Sequence, residues 1–282
     1  MEDELAGPAG QVAFVLGGGG VLGATQVGML RALTEAGIRP DVILGTSVGA
    51  VNGAVFAAEP TEAAVAALAD LWKSMASSGV FSDTVLARAT TLAKHRTHLY
   101  SPAPFRRQLR EYLPATFADL RVPFQCVAAS IEHAGARWFA TGDLPRAVLA
   151  SCAVPGLLPP VEIEGEHYLD GGLVHSIPVG RALALGASEI YVLHVGRIEQ
   201  PLLAPRSLWD VCLVSFEVAR RHRFVEEMAG LPASVRAHVL PSGEESMPLI
   251  SMRYRGANRV ASRIERGYSA AAAYLSATAA SR

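Results

Sequence analysis

Charge is scarce in this chain of 282 residues: Asp, Glu, Lys and Arg together make up 18% of it, and the net charge is −1. So neutral a composition offers no basic field for nucleic acid, and the one local run, Arg220-Arg221-His222-Arg223, reads as a solvated helix face. Cysteine is sparse as well. Cys126, Cys152 and Cys212 are odd in number, far apart and without metal-ligand spacing, which argues against a disulfide framework or a metal site. Each lies in an apolar run, the setting of a buried free thiol in a reducing compartment. No apolar stretch reaches the roughly 18 residues that a membrane-crossing helix requires. The acidic start, MEDELAGPAG, lacks the basic and apolar regions of a secretory signal. These absences predict a cytoplasmic protein whose contact with any membrane is transient.

What the chain does have is apolar content, 50% of its residues, enough for a sizeable core. Residues 1–10 are expected to form a flexible N-terminus and 11–282 a single domain, since neither a repeat nor a long linker interrupts them. Gln11 to Leu16 reads as a buried strand that runs into Gly17-Gly18-Gly19-Gly20-Val21-Leu22-Gly23 and then a helix, capped by Gly37. Val42 to Leu44 reads as a second strand, and a helix begins at Val48. Strand, helix, strand makes a βαβ unit, whose right-handed crossover brings both strand ends to one edge of a parallel sheet. The glycine loop and the turn at Ser47 therefore become neighbours.

Further along, Thr61 to Ser77 predicts a helix, and Phe81 to Tyr100 either a helix or a mobile cap. A hairpin is expected from Val122 to Ile131 and Arg137 to Thr141, then a helix capped by Asp143. Strands are expected at Ile190 to Val195 and Val235 to Leu240, and long helices at Ser207 to Met228 and Ala257 to Leu275. The alternation implies an α/β fold.

Gly45-Thr46-Ser47-Val48-Gly49 spells G-x-S-x-G between a strand and a helix, the setting in which a tight turn exposes a serine hydroxyl. Gly45 and Gly49 leave room for the bend, and the following helix aims its N-terminal N–H groups at the same place. Gly18-x-Gly20-x-x-Gly23 formally matches a dinucleotide fingerprint, but the second strand ends in Gly45-Thr46-Ser47 where that reading needs an acidic residue. No Lys-Ser/Thr follows the glycines, so the phosphate loop of an ATPase fails too. The remaining reading is a run of N–H groups beside a serine, able to hold an oxyanion. Serine also needs a base. Two arrangements fit the sequence: a Ser47, Asp170, His175 or His194 triad, or Asp170 alone, brought close by Gly171 and Gly172.

Four blocks together, GGGGVLG at 17–23, GTSVGA at 45–50, SCAVPGLLPPV at 151–161 and DGGLVHSIPV at 170–179, resemble the patatin-like phospholipases. The likeness is to the bacterial branch that looks like the catalytic domain of neuropathy target esterase. This resemblance implies a three-layer α/β/α sandwich with a mostly parallel central sheet. It implies Ser47 as nucleophile, Asp170 as base of a Ser–Asp dyad, and Gly18, Gly19 and Gly20 as the oxyanion hole. The implied substrate is an acyl lipid, cleaved without metal or organic cofactor. Two positions depart from the family pattern: Leu22 stands where the loop usually has Arg or Lys, and Ser176 where Asn is common. They keep a non-catalytic lipid- or protein-binding module in view as the alternative. Leu157 and Leu158, with the segment 81–100, are expected to wall an acyl groove.

Overall fold

Alternate residues of the first strand point into two different cores, and this divides the molecule into layers. The computed structural model describes residues 10–78, 85–195, 201–243 and 257–280. In β1 (Gln11–Leu16), Phe14 and Leu16 join one apolar cluster, while Ala13 and Val15 join another. In β2 (Val42–Thr46), Ile43 belongs to the first cluster, Val42 and Leu44 to the second. Strands buried on both faces need cover on both, which is why they read as continuous apolar runs.

The first face is covered by α1 (Ala24–Glu35), α2 (Val48–Ala58) and α3 (Glu62–Ser78). The helix α4 (Val85–His95) follows, its described side chains exposed or half-buried, and then α5 (Ala103–Tyr112). The hairpin of β3 (Phe124–Ser130) and β4 (Gly135–Phe139) leads to α6 (Leu144–Ser151), whose Asp143 cap accepts from the Arg146 amide at 2.8 Å. Next come the short strands β5 (Val161–Ile163) and β6 (Glu166–Asp170). Then α7 (Val179–Ala184), β7 (Ala187–Leu193), α8 (Leu208–Ala229), β8 (Arg236–Val239) and α9 (Ala257–Ala280) complete the order. Val179 and Ala182 of α7 and Phe224 of α8 cover the second face. The predicted three-layer α/β/α arrangement is the one observed.

The sheet has the order β5-β6-β3-β2-β1-β7-β8, with β4 also paired to β3. Strands β3, β2, β1, β7 and β8 run parallel, and β4, β5 and β6 join antiparallel. One detail of register positions the chemistry. The end of β2, Thr46, lies opposite Val127 of β3, and the next residue of β3, Ala128, lies opposite Asp170 at the end of β6. Strands β2 and β6 thus meet head to head along β3, so Ser47 and Asp170 arrive together at the same rung.

Predicted and observed elements agree in type. Within Phe81 to Tyr100, residues 81–84 lie outside the described residues, and the rest is α4 and a stretch in which the Leu99 and Tyr100 amides donate to Gly156 and Leu157 carbonyls at 3.1 and 3.0 Å. Leu157 and Leu158 are buried in the first core, so they form packing and not the wall of an open groove. Cys126 and Cys152 are buried and free, as expected, while the Cys212 side chain lies outside what is described. Among the described residues no helix is long and apolar enough to cross a membrane.

Candidate active site

Ser47 sits between β2 and α2 with φ 54° and ψ −124°, a backbone conformation that a side-chain-bearing residue adopts only under constraint. Such strain costs about 1–3 kcal/mol and persists where the surroundings over-determine it. Here the Ser47 N–H donates to Ser151 Oγ at 2.9 Å, and its carbonyl accepts from the Ala50 and Val51 amides at 2.8 and 3.3 Å. The flanking glycines are required by contact. A Cβ on Gly45 would lie 2.6 Å from Ala50 Cα, and one on Gly49 would overlap the Leu16 carbonyl. Thr46 adds a tie, its hydroxyl donating to the His175 carbonyl at 2.7 Å.

The Ser47 hydroxyl donates to Asp170 Oδ2 at 2.7 Å. Asp170 Oδ1 accepts from the Gly172 amide at 2.7 Å, and the Asp170 N–H donates to the Ala153 carbonyl at 2.9 Å. Gly171 has to be glycine, because a Cβ there would run into the Val127 carbonyl of β3. Asp170 is 2% exposed, and burial pushes its carboxyl from an ordinary 3.8 up to about 6, against the opposing pull of the Ser47 and Gly172 hydrogen bonds. A carboxylate so tuned is a far better proton acceptor near neutral pH than one in water. The Cys152 thiol lies beside the same pair. Burial first, and then the Asp170 charge, push it well above its usual range, so it remains a neutral neighbour.

The glycine loop faces this pair. A Cβ on Gly18 would stand 3.4 Å from Ser47 Cβ, so the loop backbone lies against the nucleophile. Gly18's own N–H donates to the Ser176 carbonyl at 2.9 Å and Gly17's to Leu193 at 3.2 Å. Among the described residues, the Gly19 and Gly20 amides donate to no backbone acceptor. Of the three glycines expected to hold an oxyanion, Gly18 has its N–H engaged by the Ser176 carbonyl.

A buried polar network braces the loop. Gln26 Nε2 donates to the Gly17 and Leu193 carbonyls at 2.8 Å each, and Asn52 Nδ2 donates to the Gly23 carbonyl at 2.9 Å and to Gln26 Oε1 at 2.8 Å. Trp72 Nε1 then donates to Asn52 Oδ1 at 2.9 Å. The sequence alone assigns no role to Gln26, Asn52 or Ser151. An asparagine inside the apolar run VGAVNGAV was the one signal, since a buried amide must find partners.

The structure brings together Ser47, Asp170, Gly18, Gly19, Gly20, Gly45, Gly49, Gly171 and Gly172. His175 Nδ1 pairs with Glu227 Oε1 of α8 at 3.0 Å, and the Ser47 proton is already directed at Asp170. His194 is buried at the end of β7. The structure holds a direct serine–carboxylate hydrogen bond between Ser47 and Asp170.

A family model described as Patatin-like phospholipase matches residues 14–183, a span that includes every residue of this cluster. The chain is 34% identical over 188 residues to Patatin-like phospholipase domain-containing protein 7 of Rattus norvegicus, an alignment covering 66% of this chain and 14% of that protein. It is 32% identical over 188 residues to Lysophospholipase nte1 of Aspergillus terreus, covering 67% of this chain and 12% of that one. It thus spans a small part of the length of these relatives. Among solved structures, VipD from Legionella pneumophila matches with a TM-score of 0.46 at 14% identity, over 96% of this chain and 68% of that chain.

Proposed function

Given that the chain belongs to the patatin-like phospholipase family, we propose that it is a serine acyl hydrolase that cleaves carboxylic esters of lipids. The observation that carries the reading is the 2.7 Å hydrogen bond from Ser47 Oγ to a buried carboxylate with a raised pKa. Relatives named phospholipase and lysophospholipase support an acyl lipid as the substrate class.

Asp170 takes the Ser47 proton as Oγ attacks the ester carbonyl carbon. The carbonyl oxygen becomes an oxyanion, held by the Gly19 and Gly20 amides and the positive N-terminal end of α2. Asp170 then returns the proton to the departing alcohol or lysolipid, leaving an acyl-serine. Water, deprotonated by the same carboxylate, releases the fatty acid and restores both groups. The Gly172 amide holds Asp170 Oδ1, which keeps Oδ2 aimed at Ser47 throughout. The substrate is drawn from a membrane or micelle surface, so contact with that surface is transient.

The test is hydrolysis of a p-nitrophenyl acyl ester and labelling by a fluorophosphonate probe. Ser47→Ala and Asp170→Asn should each lower kcat by roughly 10³-fold or more, as losses of single members of a catalytic unit do. Labelling should vanish in Ser47→Ala. Wild-type turnover by purified Ser47→Ala protein overturns the assignment.

A further inference from the structure

Helix α8 lies beyond the span 14–183 matched by the family model, yet it sends one side chain back to the glycine loop. Arg220 is 7% exposed, and its Nη1 donates to the Gly18 carbonyl at 3.0 Å, a contact between residues 202 apart in the chain. Its Nε lies 3.1 Å from Glu217 Oε1, while Glu217 Oε2 lies 3.4 Å from Arg221 Nε. One buried carboxylate is shared by two guanidiniums, and Arg220 is the one of them that reaches the loop. Burial pulls the Arg220 pKa down and Glu217 pulls the other way, but an arginine keeps its proton throughout the working range. Taking such a cation out of water is expensive, and an apolar side chain of similar length would pack without that penalty.

The atom that Arg220 touches gives the expense a purpose. The Gly18 C=O and the Gly19 N–H belong to one planar trans peptide and point in opposite directions. With the carbonyl drawn toward α8, the N–H is turned to the other side. The Gly18 N–H is held independently by the Ser176 carbonyl, so the peptides on both sides of Gly18 are clamped. The loop adjoins Ser47 at this point, as the 3.4 Å approach of a Gly18 Cβ to Ser47 Cβ shows. A charge-assisted hydrogen bond to a peptide oxygen also polarises that peptide and makes its N–H a stronger donor.

We propose that Arg220 is a positioning residue of the oxyanion site: its guanidinium fixes the Gly18–Gly19 peptide so that the Gly19 N–H meets the developing oxyanion. It also places positive charge behind that N–H. This inference rests on the acyl-hydrolase reading of Ser47 and names a determinant of it outside the matched family span.

The experiment uses the full chain, a soluble p-nitrophenyl ester and an aryl trifluoromethyl ketone, which closes on a serine as a tetrahedral oxyanion. In Arg220→Met, kcat should fall on the order of 10-fold or more, somewhat less than for outright loss of an oxyanion donor, with KM little changed. Affinity for the ketone should weaken by the same factor as kcat/KM, because both report stabilisation of the oxyanion. Arg220→Lys keeps the charge without the planar fork and should recover part of the loss. A folded Arg220→Met protein, judged by its thermal transition, with wild-type kcat overturns the proposal. So does a loss of kcat without weaker ketone binding, which marks a merely structural role. Should the methionine variant fail to fold, the lysine variant decides: wild-type kcat together with wild-type ketone affinity overturns the proposal. Failure of the underlying reading looks different, since the wild-type chain would then escape fluorophosphonate labelling at Ser47.

Discussion

A single carboxyl group, Asp170, is the base of the proposed mechanism, and its burial carries a cost. Its pKa of about 6, raised from 3.8 by burial, makes the folded protein bind a proton more tightly than the unfolded chain between those two values. The sign follows directly: its contribution is fully present below about pH 4 and is lost as pH rises through about 6, where the buried group must ionise. The swing is on the order of 3 kcal/mol. Urea denaturation at pH 5 and pH 8 should show that Asp170→Asn gains most over the wild type at pH 8. Under the proposed mechanism activity should run the opposite way, because only the ionised carboxylate accepts the serine proton. The pH profile of kcat/KM on a soluble ester should rise through about pH 6 and then level off. A profile that is flat down to pH 5 contradicts the assignment of Asp170 as base. The strained Ser47 backbone belongs to the same scale, a local expense sustained by Ser151 and the first turn of α2.

These residues act through the elements that hold them. Strands β2 and β6 abut along β3, and α2 springs from the serine turn with its first amides facing the site. The glycine loop has no regular structure until its 3-10 turn at Gly20–Gly23, so it borrows rigidity from α1, α2 and α3 through Gln26, Asn52 and Trp72. Asn52→Leu would remove the hydrogen bonds to the Gly23 carbonyl, Gln26 Oε1 and the Trp72 N–H from a buried site. A buried polar group left without its partner costs about 1–3 kcal/mol. Chemical denaturation should therefore show a loss of at least about 2 kcal/mol, with kcat reduced as the loop loosens. The cation that the loop lacks at Leu22, itself buried with Val21 and Val195, is met from α8 by Arg220.

At the scale of the whole molecule, the last helix closes the first layer. Helix α9 crosses α1 so closely that a Cβ on Gly28 would overlap the Ile264 carbonyl, and one on Gly267 would lie 2.5 Å from the Thr25 carbonyl. Arg31 of α1 stacks on Tyr268 at 3.9 Å, and the Tyr268 hydroxyl donates to Glu35 at 2.6 Å. Two glycines, one in each helix, let the backbones touch, as small residues do wherever helices approach this closely. Gly28→Val forces them apart and should cost about 3 kcal/mol or more, the upper end of overpacking. A lowered midpoint in a thermal melt would check it. Because α1 also carries Gln26 beneath the glycine loop, activity should fall along with stability.

Much of this site was legible in the residues themselves. Glycine on both sides of Ser47, four glycines after a strand, and Asp170 followed by two more glycines are local demands of tight turns and close backbone approach, and local demands leave marks in sequence. The alternation of apolar runs with amphipathic segments likewise determined an α/β fold. What only the tertiary structure decided depends on partners far apart in the chain. Register along β3 made Asp170 the partner of Ser47 and tied His175 to Glu227 instead. Leu157 and Leu158 went to the core, because apolar character alone cannot tell a groove wall from packing. The Gly18 amide was taken by Ser176, 158 residues on, and Arg220 reached the loop across 202 residues. No local pattern records such distances; the packing of layers around one sheet sets them.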